Sequence, residues 1–372
     1  MQLINRQRFR LLLPLAWAAL CALGCRDRPG RGAPADPNHP AASTGAAVVT
    51  QEVELETDRF TAMGSFGHVR LRCGDETVGR EAIADARHVL AEVDRLLSTY
   101  RPDSELSHVN QLADRQPVSV SPQTYELLRL ALHYSRITDG AFDITVTPLV
   151  HLWQQAAREN RLPTDAELAQ ARSRVGYEKL HLGDPNHPTV SFANPGMELN
   201  VDAIAQGYGV DLVLDALRRS GITAALVEIG GEIACFGGEP PQRPWRIGVQ
   251  DPFAADNDNP LAQHARWVLQ LTQGGASTSG HYRRHHTIAG RRYSHILDPR
   301  TGWPADALPS VTVIAARAAD ADALATAVSV LGATEGLALI ESLENVQALL
   351  VAGPPDRPTL YRSRGLARYE TR

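Results

Sequence analysis

Two short stretches carry side chains whose types and spacing suit chemistry. In Ser294-His295-Ile296-Leu297-Asp298-Pro299-Arg300-Thr301-Gly302, a His, an Asp-Pro turn and a Thr-Gly end fall within nine residues. An imidazole titrates near working pH, so His295 is a candidate proton-transfer group. The same stretch also reads as a plain polar turn, with Pro299 fixing the chain and Gly302 permitting a left-handed end. In Ala319-Asp320-Ala321-Asp322-Ala323-Leu324-Ala325-Thr326, Asp322 and Thr326 are four apart and share one face if the segment is helical. A carboxylate with a hydroxyl is a hard-oxygen pair suited to Mg²⁺. Asp320 or Asp322 would serve equally as a helix N-cap, and the two readings coexist if Asp320 caps and Asp322 binds metal.

Two further stretches are rich in small residues. Asn200 to Asp211 (NVDAIAQGYGVD) opens a helix whose small residues admit either a ligand or a neighbouring helix. Gly274 to Gly280 (GGASTSG) reads as a hydroxyl-bearing loop able to follow a phosphate or ribose. His281, His285 and His286 have a spacing that suits zinc on a helix. Gly280 and Gly290 bracket a hairpin instead, and no third ligand is apparent.

These residues need a frame of strands and helices. Residues 52–72 alternate in polarity and predict strands broken near Gly64. Ile83, Ala86, Leu90, Val93 and Leu97 predict a helix over 77–98. Ser121-Pro122 is a helix start, and Thr164-x-x-Glu167 a capping box. Residues 204–220 predict a helix stopped by Gly221. Strands are expected over 224–229, 245–250, 267–271, 311–315 and 347–351. Helices are expected over 321–331, stopped by Gly332, and over 334–343. Strands and helices interleave irregularly, without a repeat or a GxGxxG, which predicts an α+β fold over a doubly wound sheet.

The chain has 372 residues, 43% hydrophobic and 21% charged, with a net charge of −5. These values exclude a wholly disordered or collagen-like chain. Without a basic surplus, nucleic acid is not an expected partner. Arg6, Arg8 and Arg10 precede an uncharged run from Leu11 to Gly24, 14 residues long. That is shorter than the roughly 20 residues a membrane-spanning helix needs, and it reads as an export signal over 1–24. Ala22-Leu23-Gly24-Cys25 resembles a bacterial lipobox, with lipidation of Cys25, although Ala22 and Leu23 reverse the usual order. Simple cleavage is the alternative. Residues 25–50 read as a flexible tether and 51–372 as one catalytic unit. Cys73 and Cys235 are the body's two cysteines and could pair in an oxidising compartment.

The order of the motifs resembles a family. It runs Met63-Gly64-Ser65, Ser98-Thr99-Tyr100, Asp103 to Ser107 with Asn110, Gly140 to Thr145 with Pro148, Leu149 and Trp153, Ala205 to Tyr208, Gly230-Gly231-Glu232, Ser277 to Gly280, Ser294 to Gly302, and Ala321 to Thr326. Over roughly 52–352 this is similar to the FAD:protein FMN transferases, the ApbE family. The resemblance implies an α+β fold related to the tunnelling fold, with FAD and Mg²⁺ bound outside the cytoplasm. The implied reaction splits FAD, releases AMP, and joins FMN by a phosphoester to a Thr or Ser of a partner protein. By position it implies FAD contacts at Met63, Tyr100, Ala141, Phe142, Asp143, Asn200, Gln206 and Ile296. It implies metal contacts at Ala203 (backbone oxygen), Asp322 and Thr326, and catalysis by His295. Asn200 stands where the family usually has Asp, Asp202 where it has a small residue, and Gln206 at an often charged position.

On this reading Mg²⁺ neutralises the pyrophosphate and His295, with Asp298 orienting it, takes the proton of the attacking hydroxyl. Tyr100 and Phe142 pack on the rings of FAD. The acceptor is expected to carry Asp-Gly-x-Ser/Thr-Gly-Ala/Ser-Thr/Ser, as in subunits of redox complexes. The site is expected on the periplasmic side, lipid-anchored to the inner membrane. The alternatives are a pyrophosphatase giving AMP and FMN, a non-catalytic flavin-binding lipoprotein, or an envelope lipoprotein without a ligand.

Overall fold

Small and β-branched residues build a wide antiparallel sheet whose two faces are both covered. The computed structural model describes residues 52–239, 243–254, 265–282 and 284–370; the export signal, the lipobox and the tether lie outside them. The first strands are β1 (Val53–Glu56), β2 (Phe60–Ala62) and β3 (Ser65–Cys73), followed by α1 (Glu76–Leu97) and α2 (Glu105–Leu112). Then come β4 (Val118–Ser119), α3 (Pro122–Ile137), α4 (Thr147–Glu159), α5 (Asp165–Ser173), β5 (Leu180–Leu182), β6 (Thr189–Phe192) and α6 (Asp202–Arg219). The second half holds β7 (Ala224–Ile229), β8 (Glu232–Phe236), β9 (Trp245–Gln250), β10 (Ala265–Leu271), β11 (Gly274–Gly280), β12 (His285–Ile288) and β13 (Arg291–Ser294). It closes with β14 (Ser310–Ala315), α7 (Ala318–Ser342), β15 (Gln347–Ala352) and β16 (Thr359–Arg362). The fold is α+β.

The main sheet runs β1-β3-β7-β8-β11-β14-β15-β16, with β2 paired to β3. Every pairing in it is antiparallel. Successive residues point to opposite faces. Ala225, Val227 and Ile229 of β7 join the core under the helices, whereas Ala224 and Leu226 join the core under the β9–β10 hairpin. Helices α1, α6 and α7 cover the first face. Trp245, Ile247, Leu269 and Leu271 of the hairpin cover the second. Burial on both faces explains why β7, β14 and β15 read as apolar runs rather than as polar–apolar alternation.

Several expectations hold in detail. Ser121 caps α3 with its side chain, and Thr164 and Glu167 form a reciprocal capping box on α5. The two helices expected around Gly332 are the halves of α7, which breaks at Gly332 with φ 77°. Others do not hold. Residues 274–280 are not a loop but β11, in the middle of the sheet. Its lack of large side chains has a steric cause. A Cβ on Gly275 would sit 2.3 Å from the Ala318 nitrogen, and one on Gly207 2.6 Å from the Ala318 oxygen. Both glycines admit the backbone that starts α7, so the small residues of α6 serve helix packing here. The histidine-rich hairpin exists as β12–β13, but Gly290 lies in its turn rather than beyond its end. Cys73 and Cys235 are both free and buried, in separate cores on opposite faces of the sheet.

Candidate active site

Asp322 and Thr326 are mounted on α7. Its first amides are held from α6: Asp211 accepts from Ala318 N–H at 2.8 Å and from Ala319 N–H at 3.0 Å. Burial pushes the Asp211 carboxyl up to about 6, against the pull of those two amides and Arg317. One turn into α7, Asp322 is 4% exposed and accepts from Gly207 N–H at 3.2 Å. Burial, then the charges of Asp202 and Asp211, raises its pKa. Thr326 follows on the same face, its hydroxyl 3.3 Å from that of Ser279 on β11. Asp320, the other capping candidate, gives no cap bond to α7, which lacks a side-chain N-cap.

His295 is mounted on a different lobe. Trp153 of α4 is fully buried with Leu149, Leu168, Ile288, Tyr293 and Leu297, so α4 and α5 seat the β12–β13 hairpin. Trp153 Nε1–H donates to the Gly302 carbonyl at 2.8 Å, and Ala289 N–H donates to Asn160 Oδ1 at 2.7 Å. These bonds hold both ends of the segment carrying His295. His295 Nδ1 lies 2.9 Å from the Arg284 carbonyl oxygen. A carbonyl only accepts, so Nδ1 carries the proton and Nε2 keeps its lone pair. Burial lowers the imidazole pKa to about 4, which leaves it neutral at pH 7.

Asp298 does not orient this imidazole. Its carboxylate turns into its own loop, accepting from Arg300 N–H, Nε and Nη2 at 2.9, 2.9 and 3.1 Å. The Asp-Pro turn closes on itself, and the orienting group is the Arg284 backbone, which side-chain reading cannot detect.

Both lobes open on one cleft of about 1050 Å³, large enough for a dinucleotide. Its lining includes Tyr100, Ala141, Phe142, Asp143, Asn200, Ala203, Gln206, His295, Ile296, Asp322 and Thr326. Met63 adjoins it: its carbonyl accepts from Gln206 Nε2 at 3.1 Å. Tyr100 is 86% exposed at the rim. Phe142 is 2% exposed, its ring edge-on to Tyr134 in the core, so it has little face left for stacking. Asp143 accepts from Thr145 N–H and Oγ1–H and from Tyr177 N–H, at 2.8, 2.7 and 2.8 Å. Its carboxylate therefore braces the loop that presents Ala141 and Phe142. Asn200 donates to Asp202 Oδ2 at 3.1 Å and accepts from Asp202 N–H at 2.7 Å. The Asp202 carboxylate thus sits beside the Asn200 amide.

Sequence reading assigned no role to Glu232. It opens β8, is buried, and its Oε2 has no hydrogen-bond partner. The available signal was an acidic residue directly after Gly-Gly at the head of an apolar strand. No group of three His, Cys, Asp or Glu side chains gathers for a metal among the described residues. Mg²⁺ keeps several waters and takes one or two carboxylates with substrate phosphates, so Asp322, Thr326 and a backbone oxygen fit it.

A buried carboxylate with a hydroxyl, facing a cleft that also receives a neutral histidine, is an arrangement suited to an enzyme acting on a ligand bound in that cleft. The family model described as the ApbE family matches residues 63–350. The chain belongs to the ApbE family. It is 37% identical over 289 residues to the FAD:protein FMN transferase of Vibrio cholerae, covering 75% of this chain and 84% of that protein. It is 32% identical over 302 residues to that of Haemophilus influenzae, covering 79% and 86%. The flavin transferase ApbE from Vibrio cholerae superposes with TM-score 0.72 at 34% identity, over 86% of this chain and 99% of that one. The apo flavinyl transferase ApbE of Pseudomonas stutzeri gives 0.71 at 32% identity, over 84% and 95%.

Proposed function

We propose that this chain is a Mg²⁺-dependent FAD:protein FMN transferase. The observation that carries the reading is the single cleft receiving Asp322 and Thr326 from α7 and an imidazole with a free Nε2 from the opposite lobe. The names of its relatives support the same activity.

FAD lies along the cleft, with Tyr100 at the rim for its rings. The acceptor hydroxyl gives its proton to His295 Nε2 as its oxygen attacks the phosphorus of the FMN half. A new P–O bond forms to the acceptor, the P–O bond to the bridging oxygen breaks, and AMP leaves with that electron pair. Bound Mg²⁺ supplies charge neutralisation at the pyrophosphate and at the departing phosphate. Asp322, Thr326 and the Ala203 backbone oxygen would hold it. The Arg284 carbonyl keeps His295 in the neutral tautomer with the proton on Nδ1, so that the lone pair is on Nε2.

The acceptor carries the Asp-Gly-x-Ser/Thr-Gly-Ala/Ser-Thr/Ser motif, on a redox-complex subunit. The export signal, the lipobox at Cys25 and the tether support a site on the periplasmic side of the inner membrane, held by a lipid. The test mixes the purified chain with FAD, Mg²⁺ and a protein bearing that motif. The readouts are in-gel flavin fluorescence and AMP. A fluorescent acceptor that disappears with EDTA, together with AMP, is the expected result. AMP and free FMN with an unlabelled acceptor would make the chain a pyrophosphatase instead.

A further inference from the structure

We propose that Glu232 is a second carboxylate of the cation site, facing Asp322 across the floor of the cleft. This rests on the cation reading given above and adds a residue to it.

The placement follows from the sheet. Ala234 and Phe236 of β8 belong to the core under the helices, and strand alternation puts Glu232 on that same face. β11 pairs with β8 through Gly275–Ala234 and Ala276–Ile233, so the next step along the ladder brings Ser277 alongside Glu232. Gly275 faces the start of α7, so Ser277 and Ser279 point the same way. Ser279 reaches Thr326. Glu232 and Ser277 therefore lie on the floor beneath the turn of α7 that carries Asp322 and Thr326, and all of Glu232, Ser279, Asp322 and Thr326 border the cleft apart from the more deeply buried Ser277.

The second observation is a lack of partners. Glu232 is 8% exposed; the Ser277 hydroxyl is close enough to act on its carboxylate, but neither that hydroxyl nor Oε2 makes a hydrogen bond of good geometry. A buried carboxylate oxygen without a partner is costly, and no Lys or Arg is paired with it among the described ion pairs. The charged side chain that acts on it is Asp322, of the same sign. A polar group buried at this expense and turned toward another carboxylate is explained by a cation between them. Two carboxylates with one hydroxyl and waters are a hard-oxygen set for a divalent metal.

The test measures Mg²⁺ binding to the full chain in detergent by calorimetry, and repeats it with Mn²⁺ by EPR. Proteins compared are wild type, Glu232→Gln, Glu232→Asp and Asp322→Asn. FAD affinity in EDTA and thermal unfolding are recorded for each. Glu232→Gln should weaken Mg²⁺ by about 10-fold or more, leave FAD affinity in EDTA unchanged, and shrink the rise in Tm that Mg²⁺ gives. Glu232→Asp, with its carboxylate kept, should recover part of the affinity. If Glu232→Gln binds Mg²⁺ as wild type does while Asp322→Asn does not, the proposal is overturned and the cation reading stands. If wild type itself binds neither metal, both fall. If Glu232→Gln and Glu232→Asp unfold early in EDTA, Glu232 is a packing residue and the proposal is overturned.

Discussion

The neutral state of His295 has a measurable consequence for the pH dependence of transfer. An exposed histidine with a pKa near 6.5 would be only about 9% neutral at pH 5.5, so a reaction using it as base would lose about tenfold between pH 7.5 and 5.5. Burial lowers the pKa of His295 to about 4. The same formula then leaves it about 97% neutral at pH 5.5. Single-turnover flavinylation, with FAD and Mg²⁺ saturating, should therefore stay flat from pH 5.5 to 7.5 and fall only toward pH 4. The assay is acceptor fluorescence against time in buffers of constant ionic strength. An acid limb with its midpoint near 6.5 that vanishes in His295→Gln would refute the burial argument. The same shift acts on stability. The folded chain binds this proton less readily than the unfolded chain, so the contribution is whole above pH 6.5 and is lost as pH falls through 4. Its full size is about 3 kcal/mol at 1.36 kcal/mol per pH unit.

Two further substitutions test the frame that holds the site. Gly207→Ala would place a methyl 2.6 Å from the Ala318 oxygen and 2.7 Å from its carbonyl carbon, and backbone cannot step aside as a side chain does. The helix-propensity gain of about 1 kcal/mol is offset by about 1–3 kcal/mol of overpacking, so Tm should fall and the Mg²⁺ concentration for half activity should rise. A Tm above wild type would show that α6 and α7 have slack. Trp153→Phe removes the donor to the Gly302 carbonyl. It should cost about 1–3 kcal/mol in urea unfolding and slow transfer while FAD affinity is kept; unchanged kinetics would mean the 294–302 segment is fixed without that bond.

The parts legible in the sequence are those where local chemistry and tertiary structure agree. The capping box at Thr164, Ser121-Pro122 and the break at Gly332 act within a few residues, and all three stand. Asp322 and Thr326 were legible because a four-residue spacing places them on one helix face. β11 was not, because its pattern of Gly, Ser and Thr records the approach of another element, 40 residues on, rather than a strand's own preference. The helix α4 was hidden for a similar reason: Thr147-Pro148 begins it without a side-chain cap, and its fully buried Trp153 faces a turn from much later in the chain. Asp298 shows the converse error. Nearness in sequence suggested a partner for His295, yet a carboxylate one residue before Pro299 closes its own turn, and a backbone carbonyl from Arg284 does the orienting.

The choice between an acceptor hydroxyl and water can also be argued from the site. One imidazole nitrogen, Nε2, is free to take a proton, because the Arg284 carbonyl occupies the other. On the proposed mechanism either nucleophile would use it. Transfer and hydrolysis would then share their base and their cation, and their ratio would depend on which hydroxyl reaches the phosphorus rather than on separate residues. His295→Ala should accordingly lower both FMN transfer and acceptor-free AMP release, by a similar factor of about 10²–10⁴. Parallel measurements of labelled acceptor and of AMP without acceptor decide the point. If AMP release without acceptor survives in His295→Ala while transfer is lost, His295 does not serve as the base for water. Its place beside the cleft would then be that of a group that seats the acceptor, and the shared-base argument would fail.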